Sequence, residues 1–388
     1  MNPVSEAIKR TKAYFCLDCG KCTSNCPIAL RNPDYSPRRV IGRAVLGSSE
    51  ELLKSNLLWE CLTCKMCNER CPSDVNYSEF IRDVRAEASK IGQEGECSHG
   101  GALQSLMRIM TSPNLKQNRL DWISRDLKVS KQGEYLYFVG CLPYFDAFFT
   151  ELDLNTVSIA KGTVKLLNYL GIEPVVMKDE RCCGHDLLWT GDIENFKRLA
   201  QHNKTEIEKT GAKKVIVSCP EGYTTLKVDY PKYVGDLGVE VIHISELLAD
   251  NLTDNKLKFK KVRKKVTYQD PCRLGRYSGI YEQPREVMEA IEGLQLNEMA
   301  KSGHSAVCCG TSAWINCSSV SKQIQIDRLK EAKSTRADYL VTACPKCQIH
   351  FICSMKDENT PKDARIKVID FATLIANSLK YNENKGDS

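Results

Sequence analysis

Apolar positions change their period part-way along the chain. In the first third they recur at helical spacing. Phe80, Ile81, Val84, Ala88 and Ile91 fall on one face of residues 77–92, with charges on the other, which predicts an amphipathic helix. Residues 36–47 open on Ser-Pro and close on Gly, the punctuation of a second helix. Residues 102–110 and 120–129 read as two more, after a connector holding Gly95, Gly100 and Gly101. From residue 131 short apolar runs alternate with amphipathic stretches. This predicts strands at 135–140, 174–177 and 214–218, with helices at 156–170 and 195–209.

The order then repeats. Strands are expected at 265–269 and 339–342, an apolar run at 304–307, and helices at 283–291 and 322–333. Each apolar run leads to a cysteine, and the cysteines match between copies. Cys141 and Cys272, Cys182 and Cys308, and Cys219 and Cys344 are 131, 126 and 125 residues apart. A duplicated α/β unit explains the recurrence. Cysteines at strand C-ends are well placed for a site, because ligands gather at that edge of an open parallel sheet. The expected fold class is α+β multidomain. A helical module over residues 1–130 is followed by two α/β domains, 131–260 and 261–388.

Composition narrows the chemistry. Apolar residues at 42% and charged residues at 27% exclude a disordered or fibrous chain. Twenty cysteines in 388 residues are too many for an ordinary enzyme, and the chain is too long for a small disulfide scaffold. The start, Met1 to Glu6, has no apolar signal core, and no run of 18 apolar residues occurs. The expectation is a cytoplasmic protein that is not itself transmembrane, whose cysteines are metal ligands. A net charge of +6 falls short of a nucleic-acid signature, so no nucleic-acid partner is expected. The basic run over residues 256–265 is either a solvated linker or a docking patch for an acidic partner.

Two cysteine runs carry the first chemistry. Cys16, Cys19, Cys22 and Cys26 precede Pro27; Cys61, Cys64, Cys67 and Cys71 precede Pro72. Both match the two-cluster ferredoxin spacing, in which the fourth cysteine ligates the other cluster. By that rule Cys16, Cys19, Cys22 and Cys71 hold one cubane 4Fe-4S cluster. Cys61, Cys64, Cys67 and Cys26 hold the second. Two four-cysteine zinc sites are the alternative, but paired runs ending in Cys-Pro suit iron–sulfur clusters better.

The duplicated part carries the second chemistry. Cys272, Cys308, Cys309, Cys344 and Cys347 form a complete set, with Gly310 after the adjacent pair. Adjacent cysteines diverge, so they suit an extended cluster rather than one small ion. Five thiolates exceed what a tetrahedral zinc uses. The first copy is incomplete. It has Cys141, Cys182, Cys183 and Cys219, but Gly222 stands where the last cysteine would be. Zinc, an iron–sulfur cluster or an empty site are all open there. His185 is either a replacement ligand or a hydrogen-bonded neighbour. Cys97, Cys317 and Cys353 read as small buried hydrophobes. Trp189 and Trp314 read as core packing. Arg273, Arg276, Lys346 and His304 flank the complete set and could offset cluster charge, although most are expected to be surface charges.

Asp270-Pro271-Cys272-Arg273, Cys308-Cys309-Gly310 and Ala343-Cys344-Pro345-Lys346-Cys347 make a resemblance specific. The chain resembles the heterodisulfide reductase family, in the layout of its D subunit: a helical two-cluster ferredoxin module fused to two Cys-Cys-Gly domains. The resemblance implies that the complete set binds a noncubane 4Fe-4S cluster. It also implies an iron–sulfur subunit of a multisubunit oxidoreductase, with a flavoprotein or membrane cytochrome as partner. Through that partner the chain would be peripheral to the inner membrane. Electron transfer is the first reading, because one Cys-Cys-Gly set is incomplete. A catalytic thiol–disulfide reductase subunit is the second. No dinucleotide or P-loop fingerprint is visible.

Overall fold

A computed structural model describes residues 3–252 and 256–381. Met1 and Asn2, part of the start read for a signal core, lie outside the described residues. Packing divides the chain into two compact units. One is Met1–Leu115 with Cys182–Gln201 and His304–Arg328; the other is Lys116–Arg181, His202–Gly303 and Leu329–Ser388. This differs from a division by chain order. The segments that carry the two Cys-Cys-Gly motifs belong with the N-terminal cysteine runs, not with the sheets that precede them.

The first unit is helical. Pro37–Val45 starts with Pro in its first turn, and Tyr77–Lys90 is capped by the Asn76 side chain, which accepts from Glu79 N. Phe80, Ile81, Val84 and Ala88 are fully buried, as the period predicts, whereas Ile91, expected on the same face, is the C-cap and is exposed. Each cysteine run contains one short helix, Lys21–Asn25 and Met66–Glu69, entered through a left-handed residue (Gly20, φ 79°; Lys65, φ 66°). Ala102–Ile109 forms as expected. The helix expected over 120–129 does not, and those residues run as turns. Trp122 and Leu127 are buried there without a repeating apolar face to continue a helix.

The second unit holds two parallel sheets. Strands β1 (Tyr135–Phe138), β2 (Lys214–Val217) and β3 (Glu240–His243) lie in the order β1-β2-β3. Strands β4 (Lys264–Gln269), β5 (Leu294–Leu296), β6 (Tyr339–Thr342) and β7 (Lys367–Asp370) lie in the order β5-β4-β6-β7. The repeat read from cysteines thus extends to strands: β1, β2 and β3 correspond to β4, β6 and β7. Both third strands end in a buried N-cap. His243 Nδ1 accepts from Ser245 N, and Asp370 accepts from Ala372 N and Thr373 N. Helices Val157–Tyr169 and Phe371–Ser378 pack closely, with Gly162 seated on the Ala372 carbonyl.

One expected strand is corrected, and one apolar run is not a strand. Residues 174–177 contribute only bridges from Val175 to Ser130 and Leu136. In the second copy the outer strand is β5, upstream of 304–307, while Gly303–Ser305 is a single 3-10 turn. The strands β3 and β7 were missed because neither leads to a cysteine. The basic run 256–265 leads into β4. Its Leu257 is buried, Phe259 bridges to Leu379, and Lys261 pairs with Glu292.

Candidate metal centres

In the helical unit the eight run cysteines gather around two cavities. Cys16, Cys19, Cys22 and Cys71 line the first, and Cys67 also borders it. Cys26, Cys61, Cys64 and Cys67 line the second, with Tyr35 and Tyr77. The first cavity thus joins three cysteines of the first run to two of the second, and the second cavity joins three of the second run to Cys26 of the first. Burial pushes the Cys26, Cys61 and Cys67 thiols up, so as free thiols they would stay protonated. A bound cation reverses that, because a coordinating thiol is deprotonated outright.

The second cavity is braced by Arg85, which is fully buried. Its guanidinium donates to the carbonyls of Leu58 (2.9 Å), Cys61 (2.8 Å) and Trp189 (3.0 Å). Its charge also draws the Cys61 thiol down against burial. Gly191 lies against this helix at φ +92°, where a Cβ would meet the Arg85 carbonyl at 2.5 Å. Sequence reading missed Arg85, since an arginine on an amphipathic helix normally faces solvent.

Both Cys-Cys-Gly pairs are buried in this unit. The glycine after each pair is left-handed and tightly covered. At Gly184 (φ +82°) a Cβ would come within 2.8 Å of the Phe196 ring; at Gly310 (φ +90°), within 2.8 Å of the Ser321 carbonyl oxygen. These two glycines are therefore required by both conformation and space. His185 Nδ1 is 2.9 Å from Asp186 Oδ1. Trp189 and Trp314 are core residues, and the Trp314 carbonyl accepts from Ser98 N and Oγ. Cys97 is half-buried, whereas Cys317 is exposed, contrary to the buried-hydrophobe expectation. His304 is exposed at the surface, 3.8 Å from Glu69.

The other cysteines lie at sheet edges in the second unit. Cys141 and Cys219 follow the paired strands β1 and β2; Cys272 and Cys344 follow the paired strands β4 and β6. Cys344 caps the helix Pro345–Lys356, and Cys347 sits in its first turn. Cys353 is a half-buried residue further along that helix. In the first copy Gly222 replaces the last cysteine; its Cβ would lie 3.3 Å from Val217 and 3.9 Å from the Cys219 Cβ.

Charges at these edges are buried, which corrects the expectation of surface residues. Arg273, Arg276 and Lys346 are 3%, 6% and 5% exposed. Arg273 lies over the Tyr277 ring at 4.1 Å and feels the charge of Cys272. Lys346 pairs with Glu221 at 2.5 Å. These two occupy the same position of the duplicated motif, two residues after Cys344 and Cys219. Their opposite charge was a legible signal, but the pairing was not. Beside Cys141, Arg119 and Glu180 form a buried pair at 2.7 Å. Glu180 also accepts from Val139 N and Gly140 N, which fixes the turn into Cys141. Burial pushes the Glu180 carboxyl up to about 7, against the pull of Arg119 and those two N–H groups.

The donor sets fit iron–sulfur clusters. Soft thiolates converge in the first unit, and buried cations stand beside Cys272 and Cys344–Cys347, where an anionic cluster would need them.

Comparison with known proteins agrees. Residues 12–75 match the 4Fe-4S dicluster domain, and 135–227 and 266–352 both match the CCG cysteine-rich domain. The D subunit of the dihydromethanophenazine:CoB–CoM heterodisulfide reductase of Methanosarcina barkeri is 31% identical over 96% of this chain and 95% of its own length. The D subunit of the same enzyme from Methanosarcina acetivorans is 32% identical over the same shares of the two chains. The chain belongs to the heterodisulfide reductase D-subunit family. The EtfAB:quinone oxidoreductase of Syntrophomonas wolfei is 32% identical over 64% of this chain and 35% of its own. A solved Helicobacter pylori protein shares the fold, with TM-score 0.55 and 12% identity over 98% of this chain and 77% of that one. As a member of the D-subunit family, the chain is an iron–sulfur component of an oxidoreductase. Among its described residues no helix is long and apolar enough to cross a membrane.

Proposed function

We propose that this protein relays electrons between a flavin- or cytochrome-containing partner and a noncubane cluster on Cys272, Cys308, Cys309, Cys344 and Cys347. Cys16, Cys19, Cys22 and Cys71 would hold one cubane; Cys26, Cys61, Cys64 and Cys67 would hold the other. Such clusters, when bound, accept and release single electrons. The residues hold the ligand loops: Arg85 fixes the Cys61 turn, and Lys346 and Arg273 supply positive charge beside the five-cysteine set. The observation that carries the relay reading is Gly222. The first copy lacks its fifth thiolate and has Glu221 where the complete copy has Lys346. Cleaving a disulfide between two metal sites needs two equivalent capturing centres, and this chain offers one.

Iron and acid-labile sulfide on anaerobically purified protein test this, with EPR before and after adding thiol. About 12 irons per chain and no thiol-dependent signal support the relay. The second reading, a thiol–disulfide reductase, is favoured by the similarity to the heterodisulfide reductase D subunit along nearly the full length of both chains. Reduction of a mixed disulfide by reduced viologen above background, with about 16 irons, would establish it instead.

A further inference from the structure

The two sheets of the second unit differ in one buried hydroxyl. Tyr137 in β1 pairs with Ile216 of β2, and Tyr268 in β4 pairs with Val341 of β6. The two tyrosines are 131 residues apart, as are Cys141 and Cys272. In the incomplete copy the Tyr137 hydroxyl is 2.8 Å from Ser218 Oγ, the residue before Cys219. In the complete copy Ala343 stands at that place, before Cys344. Tyr268 is 1% exposed, and its hydroxyl has no hydrogen-bond partner among the described residues. A buried, unpartnered hydroxyl is costly and calls for an acceptor.

We propose that the Tyr268 hydroxyl donates a hydrogen bond to a ligand sulfur on the Cys344–Cys347 turn, and so raises the reduction potential of the cluster held there. The inference rests on the reading of these cysteines as cluster ligands. The turn follows β6, the strand that pairs with Tyr268. Burial pushes the Tyr268 hydroxyl up, and Asp270, Asp370 and, last, Cys347 push it the same way. Arg285 lies over the ring at 5.2 Å, and its donors go to Asp270, Glu298 and the Tyr281 carbonyl. A hydrogen bond to sulfur favours the more negative, reduced state. In the incomplete copy the serine consumes the equivalent hydroxyl. The Ser-to-Ala difference thus frees a donor only where five cysteines are present. Asp370 Oδ2 also lacks a partner and is the competing acceptor through water.

The test is an EPR-monitored redox titration of the holoprotein, following the signal that Cys344→Ala abolishes. Tyr268→Phe is expected to move its midpoint to more negative potential at unchanged iron content. Ala343→Ser should move it the same way, by giving the hydroxyl another partner. Tyr137→Phe should leave it in place. An unmoved midpoint in Tyr268→Phe with full iron overturns the proposal and assigns the hydroxyl to water or Asp370. If Tyr268→Phe loses the cluster, Ala343→Ser decides alone: an unmoved midpoint overturns the proposal. Wild-type protein with no signal sensitive to Cys344→Ala would instead remove the reading on which the proposal rests.

Discussion

Replacing Arg85 by methionine should release the Cys61 loop that lines the second cysteine cavity. The side chain holds three buried carbonyls at 3.0 Å or less, from Leu58, Cys61 and Trp189. A hydrogen bond from a charged donor contributes about 1.5–3 kcal/mol, and each carbonyl left unpaired costs about 1–3 kcal/mol. The losses share one donor and do not add fully, and removing a buried charge recovers part of its desolvation. We expect a net loss of about 4–6 kcal/mol. Against a typical domain stability of about 5–15 kcal/mol, that is enough to open the loop. Arg85→Lys keeps the charge without the planar fork, so its loss should be smaller. The assay is iron and sulfide per chain after anaerobic purification, together with thermal unfolding followed by circular dichroism. Arg85→Met should lose about one cluster, four irons, and drop the midpoint by about 10 °C or more. Wild-type iron with a midpoint within about 2 °C of wild type would refute the bracing argument.

Three further outcomes follow from the geometry. Glu221→Gln should cost about 2–4 kcal/mol, less than a fully buried pair because Glu221 keeps 12% side-chain exposure, and adding Lys346→Met should recover most of it; additive losses in urea unfolding would mean that the two do not interact. Burial holds His243 down to about 3, so it stays neutral when folded, while the unfolded chain protonates near 6.5. Its stabilising contribution is therefore complete above pH 6.5 and falls as the solution is acidified, by roughly 2 kcal/mol between pH 6.5 and pH 5. His243→Asn keeps a capping side chain and should flatten that slope; an unchanged slope by urea titration at the two pH values would count against it. Gly310→Ala places a Cβ 2.8 Å from a carbonyl at positive φ, so iron at the complete set should be lost, while Gly42→Ala, with open space around it, should retain full iron.

The heterodisulfide reductase resemblance was legible from cysteine spacing because ligand spacing is a local property. A loop around a cluster needs thiolates a few residues apart, and that pattern survives in a single chain without any knowledge of packing. The same holds for the Tyr77–Lys90 helix, whose apolar period matches its buried face, and for β1, β2, β4 and β6, each announced by an apolar run before a cysteine. Strands without such a marker were silent. β3 and β7 carry charged first residues and short runs, and their identity as strands depends on the neighbours they pair with.

Tertiary structure alone decided what surrounds the ligands. The local pattern around Arg273 and Lys346 is that of surface residues, yet both are buried. Glu221 and Lys346 are 125 residues apart, and only folding brings their opposite charges together. Likewise, Ser218 and Ala343 look like an idle substitution between copies until folding sets Ser218 Oγ beside the Tyr137 hydroxyl and leaves the Tyr268 hydroxyl without a hydrogen-bond partner among the described residues. Covalent spacing dictates which atoms can bind a cluster. The charge and hydrogen bonds that tune it come from residues far apart in sequence, so they exist only once the chain has packed.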